Sequence, residues 1–232
     1  MNKIVLIAVM ASLFASCSSG SKVVKFPRKR DDIYANNHLK TFFNTNKSPN
    51  IVLRVPNSDD RATSNTNASP INNVLYNAIE KEFLKQGFSV RDRGLFNEII
   101  NKSASTEYSK IKELTNTDLI LEVVNIDAKV VYSTNKITVV KKKKSTEKVG
   151  NADYKKYGAS AEFRLILVNT NEIAGTYKYN YQPCPDGCEI TSFKFSGKRN
   201  TKTVELRESV SVNELEVFME TCTRDLIKSF GL

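Results

Sequence analysis

Tryptophan is absent from this 232-residue chain, histidine occurs once, and the nine glycines all stand apart from one another. With His38 alone, a histidine-based triad or a site needing two histidine ligands is excluded. Isolated glycines exclude a phosphate-cradling loop, and none of GxSxG, HExxH, GxxxxGK or GxGxxG occurs. Asp31-Asp32 and Asp59-Asp60 are adjacent carboxylates without the spaced ligands of a calcium loop. Neither a catalytic residue nor a metal site is expected. Beyond residue 14, no apolar run is long enough for a transmembrane helix.

What is present is concentrated at the start. Lys3 supplies a positive charge, residues 4–14 form an apolar stretch too short to span a bilayer, and Ala15-Ser16 precede Cys17. Small residues directly before a cysteine make this a lipobox-type junction, with Phe14 bulkier than the Leu or Val usual three residues before it. The expectation is an export signal over 1–16, removed so that Cys17 becomes an acylated N-terminus. Residues 17–32 then read as the lipidated cysteine and a basic tether, and 33–232 as a single domain. Such a chain is expected to be a membrane-anchored lipoprotein of the cell envelope, with a covalent lipid and no other cofactor.

Lys and Arg number 35 against 25 Asp and Glu, and removing the signal leaves a net charge of +9. A basic protein on a membrane meets anionic head groups or acidic polymers, whereas nucleic acid belongs to another compartment. One cluster, from Lys22 to Arg30, lies just past the anchor; a second is Lys141, Lys142, Lys143 and Lys144, continued by Lys148, Lys155 and Lys156. The second reads either as a solvated loop or as a partner- or lipid-binding surface.

Three further cysteines remain. Cys184-Pro-Asp-Gly-Cys188 encloses a turn, so its thiols lie within reach of each other, as a disulfide in an exported protein or as free thiols. Cys222 falls on the apolar face of a helix and reads as a small buried hydrophobe.

Residues 51–55 are a β-rich run, and Ser69-Pro70 starts a helix whose Ile71, Val74, Leu75, Ala78, Ile79 and Phe83 recur at helical spacing up to Gly87. Residues 88–90 read as a short strand, and Asp92 as the cap of a helix carrying Leu95, Phe96, Ile99 and Ile100. A third helix is expected around Tyr108, Ile111 and Leu114, then a strand over 119–126. From 160 to 206 the pattern is of strands, beginning with the alternation of Ala161, Phe163, Leu165 and Leu167, with a turn at 169–172 and further strands over 176–181, 190–195 and 201–206. A helix over 212–230 closes the chain, with Leu215, Phe218, Cys222, Leu226 and Phe230 on one face. The class is α/β or α+β: a mixed sheet flanked by helices, with long hairpin extensions and a C-terminal helix.

Several of these segments carry a family resemblance. Asn50-Ile-Val-Leu-Arg-Val-Pro-Asn57 resembles the first strand, and Phe83-Leu-Lys-Gln-Gly-Phe-Ser-Val-Arg-Asp-Arg93 the "helix, glycine, strand, Arg" segment, of the curli production assembly/transport (CsgG-like) lipoproteins. Leu95-Phe-Asn-Glu-Ile-Ile100 follows as the next helix, and the strands at 117–124 and 163–173 complete the likeness, which spans residues 50–230. More distantly the chain is similar to penicillin-binding-protein activator lipoproteins. The resemblance implies an outer-membrane lipoprotein facing the periplasm, with a non-enzymatic role in assembly or secretion of surface material, through a homo-oligomer or an envelope protein partner. The alternative is a monomeric module that docks on an envelope enzyme or a cell-wall synthesis partner. Two departures bear on the channel role. The loop 57–69 has none of the aromatic residues that narrow the pore of channel-forming members. Intervals 127–158 and 180–212 match the positions of those members' membrane-entering hairpins, but the four consecutive lysines must then lie outside the bilayer.

Overall fold

Alternation of apolar side chains along strands, and their recurrence at three and four residues along helices, produce an α+β structure with a mixed sheet. The computed structural model describes residues 21–55, 70–102, 108–141, 144–189, 194–196, 202–205 and 209–231. In chain order the elements are β1 (Ser21–Val24), β2 (Asp32–Ala35), α1 (Asn37–Thr45), β3 (Asn50–Arg54), α2 (Pro70–Lys85), β4 (Ser89–Val90), α3 (Arg93–Lys102) and α4 (Tyr108–Thr115). They continue as β5 (Leu119–Lys141), β6 (Lys144–Leu167), β7 (Glu172–Tyr181), β8 (Cys188–Glu189), β9 (Lys194–Ser196), β10 (Lys202–Glu205) and α5 (Val212–Lys228).

By its internal packing the chain divides into two compact units. An α/β unit comprises Arg28–Val131, Tyr157–Gln182 and Glu208–Leu232; a β unit comprises Met1–Pro27, Tyr132–Lys156 and Pro183–Arg207.

In the α/β unit the strands run in the order β2-β7-β6-β5-β3-β4. β3 pairs parallel with both β4 and β5, while β7 is antiparallel to both β2 and β6. On one sheet face Leu119, Leu121, Phe163, Leu165, Tyr177 and Tyr179 form the main core with Leu39 and Phe43 of α1, Ile79 and Phe83 of α2, and the apolar stripe of α5. On the opposite face Val52, Ile120, Ile166 and Val168 enclose Phe96 of α3. Period-2 alternation is what divides β5 and β6 between these two cores.

The helix ends follow from local chemistry. Ser211 and Glu214 form a reciprocal capping box on α5, Asn36 Oδ1 accepts from Leu39 N at 2.9 Å on α1, and Asp92 Oδ1 accepts from Leu95 N at 2.6 Å on α3. Each such cap stabilises by about 1 kcal/mol. Past α2 the chain turns through Gly87 at φ +84°, a left-handed conformation that an L side chain adopts only with strain.

Four expectations are corrected here. The tether placed at 17–32 contains β1, with Val24 and Phe26 buried, because β1 pairs with β5 on one side and β8 on the other. The strand expected over 119–126 runs on to Lys141, and the loop reading for the second lysine cluster fails from Lys144 onward, where β6 begins. Leu114 is 65% exposed, so α4 does not bury it. Of the strand expected near 190–195, residues 190–193 lie outside the described residues.

A charge sits inside the α2–α5 contact. Glu82 is 1% exposed at a position one turn from Ala78 and Ile79, and its carboxylate accepts from Arg224 Nε at 2.9 Å and Lys85 Nζ at 3.0 Å. The Arg224 hydrogen bond outweighs desolvation and holds the Glu82 carboxyl below its ordinary value of 4.5. A depressed folded-state value means that Glu82 contributes stability above that ordinary value and loses it as pH falls through the folded-state value. Thermal unfolding of the native chain is therefore expected to weaken more steeply than that of Glu82→Gln as pH drops from about 6 to about 3. Parallel pH profiles would show that the ion pair contributes nothing.

Candidate functional site

The β unit holds most of the residues singled out from the sequence. Its sheet places β1 between β5 and β8, and β10 between β6 and β9. Cys184 and Cys188 are joined by a disulfide, with Cα atoms 5.3 Å apart. The Pro-Asp-Gly turn makes this possible: Gly187 N donates to Cys184 O at 2.8 Å, with Gly187 at φ +108°. A Cβ at Gly187 would also lie 3.3 Å from the Val23 Cβ, so the turn is seated closely against β1. Cys188 pairs with Val24 in the ladder and is buried.

Lys156, near the end of the segment that β6 gives this unit, brings its ammonium to 2.7 Å from Cys184 Sγ and 3.4 Å from Cys188 Sγ. A cation there would stabilise a thiolate released by reduction of the bond. The sequence showed Lys156 only as a member of a charge run. Its approach to the disulfide depends on contact across 28 residues, which no local pattern reports.

Of the four clustered lysines, Lys141 ends β5 and Lys144 begins β6; Lys142 and Lys143 lie outside the described residues, as does Cys17. Lys22, Lys25, Lys148 and Lys155 are exposed, and Lys136 forms an open ion pair with Glu147 at 2.9 Å.

Several of the remaining candidates, all of them in the α/β unit, are tied down structurally. His38 Nδ1 and Glu172 Oε1 are 2.8 Å apart at the surface. Asp31 accepts from Asn180 N at 2.8 Å, Asp32 is exposed, and Asp59 and Asp60 lie outside the described residues. Cys222 is 2% exposed, and burial pushes its thiol well up, so it stays protonated and unreactive. Glu122 takes Arg164 Nη1 at 3.0 Å and Arg54 Nη1 at 3.4 Å, one on each oxygen. That arrangement places one guanidinium on each carboxylate oxygen and links three adjacent strands. Among the described residues, no three His, Cys, Asp or Glu side chains are grouped so as to hold a metal.

No family model matches this chain, and no curated protein does. Among solved structures, a PelC dodecamer from Paraburkholderia phytofirmans aligns over 87% of this chain and 97% of its own, at 9% identity and a TM-score of 0.33. A dodecamer of a PelC variant from the same organism aligns over 70% and 83%, at 8% identity and a TM-score of 0.28. Likeness this slight carries no argument about family, assembly or role.

Proposed function

We propose that this chain is an outer-membrane-anchored periplasmic lipoprotein that acts without catalysis, in assembly or secretion of surface material, in the manner of the curli-channel-like lipoproteins it resembles. Anchoring rests on the run from Lys3 through Ala15-Ser16 to Cys17. The assembly role is supported by one observation, the length of β5 and β6, which have 23 and 24 residues and run through both units, where strands of globular proteins usually have 3–10. The β unit has five buried hydrophobic residues among those described, namely Val24, Phe26, Tyr132, Tyr154 and Cys188. Strands this long, with so few buried hydrophobic residues among those described, suit a surface completed by further copies of the chain or by the envelope. The partners are accordingly the outer membrane and another envelope protein or copy of the chain, with no nucleic acid and no cofactor beyond the lipid.

The test is particle size in detergent combined with conductance in planar bilayers. Ring-shaped particles with discrete conductance steps are expected for a secretion channel, and large particles without conductance for a non-channel assembly. Monodisperse small particles without conductance would overturn the reading in favour of a monomeric module docking on an envelope enzyme. The exposed lysines of β6 would be the first surface to examine there.

A further inference from the structure

The division of the chain into two units also divides its charge. Residues 17–27, 132–156 and 183–207, the β unit without the signal, carry 15 Lys and Arg against five Asp and Glu. Residues 28–131, 157–182 and 208–232 carry 19 against 20. The α/β unit is thus neutral to within one charge, and the whole basic excess belongs to the β unit. Three segments far apart in sequence supply it, so it is a property of the assembled unit and not of one lysine run.

We propose that the β unit is a docking surface for anionic phospholipid head groups, lying on the membrane that carries the anchor. The proposal rests on the lipoprotein reading in one respect, the distance to the bilayer. β1 begins four residues after Cys17, and four extended residues reach at most roughly 14 Å. At physiological salt the Debye length is about 8 Å, so an acylated Cys17 keeps the start of β1 within about two Debye lengths of the surface at full extension, and any shorter path brings Lys22 and Lys25 closer to it. Lys22 and Lys25, in and directly after β1, are exposed; so are Lys148 and Lys155 on β6. The acids among the described residues of the unit do not cancel them. Glu147 is paired with Lys136, Asp153 is a single exposed carboxylate on β6, and Asp186 and Glu189 are exposed three residues apart at the disulfide turn, while the side chain of Glu205 lies outside the described ones. The head-group surface is favoured over a soluble acidic polymer because the tether length places the unit beside lipid whatever else is present.

The experiment uses the mature chain with Cys17→Ser, so that binding is read without acylation, in co-sedimentation with vesicles. Binding is expected to vesicles of phosphatidylglycerol mixed with phosphatidylcholine, and not to phosphatidylcholine alone. It should fall at least roughly tenfold at about 0.5 M salt, where screening shortens to about 4 Å. Lys22→Glu, Lys25→Glu, Lys148→Glu and Lys155→Glu together should weaken it by a similar factor. The same charge change in the α/β unit, Lys40→Glu, Lys81→Glu, Lys129→Glu and Lys228→Glu, all at exposed positions, should leave it within about twofold. Equal loss in the two variants would reduce the effect to net charge and overturn the proposal. Equal binding to neutral vesicles would do the same, as would tighter binding to soluble polygalacturonate than to vesicles. If the first variant does not fold, the lipid and salt comparisons still decide. Absence of fatty-acid labelling in the native protein would defeat the lipoprotein reading alone, since vesicle binding here needs no lipid on the chain.

Discussion

Cys17→Ala is expected to abolish fatty-acid incorporation and to leave either an uncleaved precursor or a product that no longer fractionates with membrane. The expectation follows from the chemistry of the junction: only a thiol at residue 17 can take the acyl-bearing group, and Ala15-Ser16 supply the small side chains a peptidase needs beside it. Two or three acyl chains, at about 0.8 kcal/mol for each buried methylene, hold a protein on a bilayer essentially without release. Electrostatic contacts are reversible and salt-sensitive, so they cannot replace that anchor. Metabolic labelling with a fatty acid, followed by salt washing of membranes, is the measurement. Undiminished labelling in the variant would place the acyl group elsewhere and remove the basis for anchoring at Cys17.

Phe43→Ala should produce the largest loss of stability in the α/β unit. Phe43 is 1% exposed, its ring stacks on Phe230 with centroids 4.2 Å apart and planes 11° from parallel, and Phe88 meets it edge-on at 6.3 Å. The stack joins α1 to the residues following α5, so the cavity left by alanine falls between two elements fixed by other contacts and cannot close fully. A phenylalanine truncated in such surroundings costs about 3–5 kcal/mol. For a chain of this size that corresponds to a fall in Tm of roughly 6–20 °C. Leu114→Ala makes a useful contrast: at 65% exposure it should change stability by no more than about 0.5 kcal/mol. Thermal or denaturant unfolding of both variants checks the pair, and similar losses in the two would show that the ring cluster is not the centre of the core.

Much of the α/β unit could be read from local pattern. The helix starting at Pro70, the cap at Asp92, the strand at 51–55 and the apolar face of the last helix all rest on contacts within a few residues, and the structure has each of them. The larger expectation about the intervals also has a counterpart. Segments Tyr132–Lys156 and Pro183–Arg207 of the β unit fall inside the two long intervals that stood out as 127–158 and 180–212. Length alone carried that signal, because a simple meander connects its strands with only a few residues.

The misreading of 17–32 has a specific cause. Its basic and small residues resemble a solvated tether, and only the alternation of Val24 and Phe26 around Lys25 hints at burial. Strand β1 is stable there because partners from residues 137–140 and 188–189 flank it, more than 100 residues away in the chain. Glu82 illustrates the same limit. Its place among Ala78, Ile79 and Phe83 marks an acid on an apolar face, but its neutralisation requires Arg224, 142 residues distant.

The sequence by itself determined the properties that local chemistry carries: an apolar segment ending at a cysteine, helices with capped ends and apolar stripes, strands with alternating faces, and an overall basic charge. Tertiary structure alone decided which distant groups meet. It brought Lys156 to the disulfide, set Arg224 against Glu82, turned part of a tether into a strand, and gathered the whole basic excess into one unit. The physical reason is that these pairings are set by sheet register and helix packing, whose strength is the sum of many small contacts between segments far apart in the chain. No single segment records that sum.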